Sequence, residues 1–196
     1  MVGLTAALVA CVVLAAAVPW SAGPGPVIAF GLYAAGLLAM LGCSALYNLA
    51  RETRWRTLLR RLDHSAIFAM IAGTYTPVAW IGIGGLWGWG LLGAVWTGAA
   101  GGAALKMAAP ARFERASILA YLALGWAGIV ALRPLIEALP LRDLLLLAGG
   151  GLLYTLGVAL HLMTGLRFHN ALWHGFVVAA AACHYAVILH LARTLG

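Results

Sequence analysis

Residues 54–82 read RWRTLLRRLDHSAIFAMIAGTYTPVAWIG. Arg54, Arg56, Arg60 and Arg61 crowd its first eight positions, and an apolar run over 63–82 follows. That run has the ~20 residues a helix needs to cross a bilayer. It opens on Asp63 and His64, ionisable groups that are costly inside a membrane and therefore need a reason to be there. Gly73-Thr74-Tyr75-Thr76-Pro77 interrupts it. Pro77 cannot donate to the carbonyl of Gly73, so the spacing predicts a kink, with Thr74 and Thr76 available to satisfy freed backbone groups.

The pattern repeats on either side. Apolar runs of spanning length occur at 3–20, 27–49, 63–82, 86–105, 115–132, 143–162 and 170–192. The whole chain of 196 residues is 64% hydrophobic and only 9% charged, with a mean hydropathy of +1.00. Soluble domains carry about 25% charged residues, so a soluble enzyme, a disordered chain and a nucleic-acid module are excluded. The expectation is an all-α polytopic membrane protein, one seven-transmembrane helix bundle over 1–196, with any site among the helices. The first run lacks the basic residue that precedes a signal peptide's apolar region, so it reads as a retained helix. Pro19, Gly23, Pro24 and Pro26 separate the first two runs, Gly82 to Gly90 turn between the third and fourth, and Pro134 and Pro140 bracket the link between the fifth and sixth. Gly98, Gly101, Gly102 and Gly149 to Gly151 are small enough to let helices approach closely. Cys11, Cys43 and Cys183 fall in apolar runs without metal or redox spacing and read as small hydrophobes.

The net charge of +7 resides in short gaps between runs, where it reports orientation rather than affinity for nucleic acid. With seven spans, nine basic residues (Arg51, Arg54, Arg56, Arg60, Arg61, Lys106, Arg112, Arg115 and Arg167) share a side with the N-terminus, against Arg133, Arg142 and Arg193 on the other. The N-terminus is thereby expected in the cytoplasm, and the protein in the plasma (inner) membrane.

This orientation brings three sequence-distant groups to one depth, the cytoplasmic end: Ser44 and Asn48 closing span two, Asp63 and His64 opening span three, Asn170 and His174 opening span seven. Residues four apart share a helix face. Such a layer has the ingredients of a metal or acid–base site, with His174 a ligand or proton carrier, Asp63 a base or ligand, and Ser44 a hydrogen-bonding partner. The plain structural alternative has Asp63 capping its helix or pairing with Arg60 or Arg61. His161 and His169 read as solvated loop residues. His184 lies about 15 Å deeper than His174 and reads as a neutral imidazole hydrogen-bonded to a neighbouring helix. His190, near the outer interface, needs no explanation.

Leu62 to Phe68 followed by Ile71 to Pro77 resembles the signature of bacterial haemolysin III proteins, within the progestin and adipoQ receptor family. Ser44-Ala45-Leu46-Tyr47-Asn48 is similar to that family's span-two motif, and Asn170-Ala171-Leu172-Trp173-His174 with Cys183-His184-Tyr185 to its span-seven segment. The resemblance implies a seven-helix bundle with the N-terminus inside. It also implies a zinc ion near the cytoplasmic end, held by one histidine from span two and two from span seven, with the span-three Asp63 and span-two Ser44 beside its water. Family activities so implied are hydrolysis of ceramide-like amides, hormone sensing and control of membrane fluidity; the haemolytic name implies pore formation. This chain departs from the pattern at two ligand positions, Asn48 and Asn170, and retains only His174. Amides are poor zinc ligands beside imidazole. His64 and His169 neighbour the family positions but are rotated about 100° around the helix from them. The chain also starts almost directly with span one, where the family usually has a preceding segment.

Two functions therefore compete. One is a membrane protein of lipid homeostasis or lipid sensing, with a lipid or fatty acid in the bundle and a degenerate polar site at the ends of spans two, three and seven. The other is a zinc-dependent hydrolase of lipid amides, with Asp63 as base and Ser44 orienting substrate or water. A pore is disfavoured because a cation path needs acids at several depths. A retinal-type photoreceptor is disfavoured because the only lysine, Lys106, lies outside span seven.

Overall fold

The computed structural model describes residues 2–50, 54–108 and 114–196. Among them every regular element is a helix. Helix α1 is Val2–Ala17, α2 Pro24–Leu49, α3 Arg56–Pro77, α4 Gly85–Ala108, α5 Glu114–Gly125, α6 Leu132–Ala138, α7 Leu141–Leu162 and α8 His169–Arg193. Five stretches are long and apolar enough to cross a membrane: Pro24–Leu49, Arg56–Ile83, Ala116–Ala138, Leu141–Leu162 and His169–Arg193. Helix α1 is shorter, at 16 residues. The bundle turns apolar side chains outward, among them Val12 at 70% exposure and Leu145 at 63%, as a lipid-facing surface requires.

Antiparallel neighbours α2 and α3, α3 and α4, and α7 and α8 pack most closely, while α1 lies against α2 and α8. One buried cluster joins Phe30, Tyr33, Met70, Val187 and Ile188; a second joins Phe68, Leu92 and Val95. Helices α2 and α3 meet backbone to backbone: a Cβ on Gly73 would sit 2.9 Å from the carbonyl oxygen of Leu32. Gly84 and Gly85 turn the chain from α3 into α4 with φ of 62° and 55°, a region that an L side chain enters only with strain. Of the glycines expected to permit close packing, Gly98 abuts Leu124, Gly102 abuts Phe68, Gly150 abuts His184 and Gly151 abuts Trp126, whereas Gly101 and Gly149 face open space.

Several expectations need correction. The third helix starts at Arg56, ahead of the apolar run, because the arginine-rich segment is itself helical. The α-helix continues through Pro77 and widens into a π-helical turn over Val78–Ile83, a recognised way of absorbing a ladder defect. Thr74 and Thr76 turn their hydroxyls back to the carbonyls of Met70 (2.9 Å) and Ala72 (2.7 Å) rather than to Gly73.

The fifth apolar run is not one helix either. It passes from α5 into a 3-10 turn over Ala127–Ala131 and then into α6. The cause is Tyr75. Its hydroxyl donates to the carbonyl of Gly125 at 2.9 Å and accepts the N–H of Gly128 at 2.8 Å, so a side chain from α3 occupies the ladder at this point. Pro134 lies inside the first turn of α6, where its missing N–H costs nothing, and Pro140 precedes α7.

Candidate functional site

The antiparallel order brings the end of α2, the start of α3, the end of α4, the start of α5, the end of α7 and the start of α8 to one end of the bundle. Between them lies a cavity of about 380 Å³. Ser44, Asn48, Asp63, His64, Asn170 and His174 all line it, and His184 lines it too. The convergence of the first six follows from helix polarity alone: each belongs to the last turns of a helix entering this end or the first turns of one leaving it, whereas His184 reaches the cavity from past the middle of α8.

The side chains differ in what they can offer. The Asn48 amide turns back onto its own helix, donating to the Ser44 carbonyl at 2.8 Å and lying 3.5 Å from the Ser44 hydroxyl. Asp63 does not cap α3, which begins two turns earlier at Arg56. Nor does it pair with Arg61, whose guanidinium reaches the Met107 carbonyl at 3.0 Å. Its carboxylate faces the cavity instead. The His64 carbonyl accepts the Tyr121 hydroxyl at 2.9 Å, tying α3 to α5 beside the site. His184 lies deeper, its Nε2 3.2 Å from the Leu147 carbonyl. A carbonyl can only accept, so Nε2 carries the hydrogen.

His169 is not part of the cavity wall. It is the first residue of α8, with its ring 6.3 Å from that of His161, which in turn packs 5.5 Å from Trp173. His161 itself sits in the last turn of α7 and lines the cavity. Both are therefore helix-end residues, and the Nδ1 atoms of both are buried without a hydrogen-bond partner among the described residues. The loop reading fails because α7 and α8 run to within a short turn of each other.

Sequence reasoning missed Lys106. Assigned to a connecting segment, it ends α4 with only 2% of its surface exposed and lines the cavity. It also missed the wall formed by Tyr154, Thr155 and Trp126, where the Trp126 indole donates to the Thr155 hydroxyl at 3.1 Å. Periodicity shows that a helix is present, but the face a polar residue takes is decided by its neighbours.

Among the described residues no three His, Cys, Asp or Glu side chains come together as a metal cage would require. With the Asn48 amide engaged on its own helix, the described residues do not fit a three-ligand zinc site. The mouth instead combines amides, imidazoles and one carboxylate with the cations Lys106 and Arg60, while further in Ile67, Met70, Leu122 and Val177 share the lining with Thr74, Tyr154, Thr155 and His184. Such a surface can hydrogen-bond and charge-match a polar group while an apolar chain extends inward.

Comparison with known proteins agrees with this architecture. The family described as Haemolysin-III related matches residues 1–185. Hemolysin-3 of Bacillus cereus is 39% identical over 163 residues, covering 83% of this chain and 74% of that protein. The Hemolysin-3 homolog of Bacillus subtilis (strain 168) is 34% identical over 163 residues, covering 83% and 76%. The monocyte to macrophage differentiation factor of Homo sapiens is 29% identical over 168 residues, covering 80% and 67%. No solved structure gives a significant match.

Proposed function

The chain belongs to the haemolysin III family, and from that premise we propose that it is a lipid-sensing protein of membrane homeostasis whose cavity takes the polar end of a membrane lipid. The observation that carries this reading is the cavity itself: a polar, cation-bearing mouth at one end of the bundle and a depth where apolar side chains such as Ile67, Met70 and Val177 are interspersed with His184, Tyr154 and Thr155. A bound lipid would contact α2, α3, α7 and α8 at once. Occupancy would then shift the balance between packing arrangements of the bundle, by as much as the lipid's affinity for them differs. The reading includes seven crossings of the plasma membrane with the N-terminus and the cavity mouth on the cytoplasmic side, supported by the excess of basic residues at that end.

The test is lipid analysis of the protein purified in mild detergent, beside an Ile67→Trp variant whose indole would fill the cavity. About one tightly held lipid per chain is expected in the parent and a marked loss in the variant. Equal retention by both would overturn the reading. Labelling of single cysteines placed in the segments after α2 and after α8, in intact cells, tests the orientation: only the second should react with an impermeant reagent.

A further inference from the structure

We infer that the rim of the cavity mouth is a binding surface for anionic glycerophospholipids. Three arginines stand there, each held against an aromatic ring. The Arg54 guanidinium carbon lies 5.0 Å from the centre of the Trp55 ring, Arg56 5.4 Å from Tyr47, and Arg167 5.1 Å from Phe168. These rings belong to the end of α2, the approach to α3 and the approach to α8, so the pairs stand around the mouth rather than along one helix.

Two physical facts select the partner. Trp and Tyr rings settle at headgroup depth, and Trp55 is 53% exposed, with the apolar ring of Phe168 68% exposed on the same rim. A guanidinium resting on a ring face leaves its in-plane N–H groups at the ring's edge, the geometry that matches phosphate oxygens; Arg56 also points one nitrogen at the Ala50 carbonyl, 3.5 Å away, which fixes it at the end of α2. Of the described acidic residues, Glu137 and Asp143 lie on α6 and α7 at the opposite end, Asp63 lines the cavity, and Glu114 opens α5 at the mouth end. Among the described residues at this end Arg54, Arg56, Arg60, Arg61 and Arg167 outnumber Glu114, so the rim carries an excess of positive charge, and its complement is a phosphate carrying net negative charge. A zwitterionic headgroup presents phosphate with a compensating cation and gains less. This deepens the proposed lipid sensing by naming a lipid class, and it rests on that reading only for the membrane setting.

The experiment reconstitutes the full chain in nanodiscs of equimolar phosphatidylglycerol and phosphatidylcholine, and counts the lipids retained by native mass spectrometry. Phosphatidylglycerol should be enriched, and the preference should fall about fivefold for each arginine removed in Arg54→Gln, Arg56→Gln and Arg167→Gln. Arg133→Gln with Arg193→Gln, at the opposite end, should leave it unchanged. A salt titration of the parent needs no variant to fold: the enrichment should decline as ionic strength rises. Equal retention of both lipids by the parent, a salt-independent preference, or equal losses in rim and opposite-end variants would each overturn the inference. Loss of the cavity lipid in the Ile67→Trp variant with rim enrichment intact would leave both readings standing. A parent without cavity lipid but with rim enrichment would overturn the proposed function alone.

Discussion

Asp143 and His190 are joined at 2.6 Å, carboxylate Oδ2 to imidazole Nδ1, between the first turn of α7 and the last turn of α8. Asp143 is wholly withdrawn from solvent, and the His190 side chain is about a third exposed. This pair sits at the end of the bundle opposite the cavity, so the hairpin of α7 and α8 is tied by a short turn at one end and by a polar clasp at the other. The acid at the start of α7 also complements that helix's dipole. His190→Ala should therefore destabilise the protein by about 3 kcal/mol, because it leaves a buried carboxylate without its partner. Asp143→Asn, which retains an acceptor, should cost less. Thermal unfolding in detergent distinguishes the two.

Tyr75→Phe removes the hydroxyl that both accepts from Gly128 and donates to Gly125. The freed backbone groups are left in a break between α5 and α6. A loss of about 1–3 kcal/mol is expected. Hydrogen exchange should show the change confined to residues around 125–131.

Gly84→Ala and Gly85→Ala place a side chain at positive φ, at a cost of about 1–2 kcal/mol each. Gly101→Ala and Gly149→Ala, where open space surrounds the new methyl, should be neutral or stabilising by up to about 1 kcal/mol. Ranking the four by melting temperature checks the assignment of the turn.

Restoring histidine at both positions, in an Asn48→His, Asn170→His variant, should add two imidazoles to His174. Elemental analysis is expected to find zinc near one per chain in that variant and far below it in the parent. Stoichiometric zinc in the parent would show that its donors rearrange around a metal, and would return the hydrolase to consideration.

Much was legible in the sequence. Sparse charge and long apolar runs demand helices in lipid, since only a helix satisfies its own backbone there. The alternation of those helices then obliges Ser44, Asn48, Asp63, Asn170 and His174 to share one end, and they do. What local sequence could not decide was which neighbour would claim each polar atom. Tyr75 breaks a helix fifty residues away. The Asn48 amide chooses its own helix over the cavity, Lys106 turns from a connecting segment into a wall, and Asp143 finds His190 across 47 residues. Hydrophobic periodicity is a property of one helix and is written into its own residues. Hydrogen bonds in an apolar interior are settled between helices, by whichever donor and acceptor packing brings within three ångströms or so.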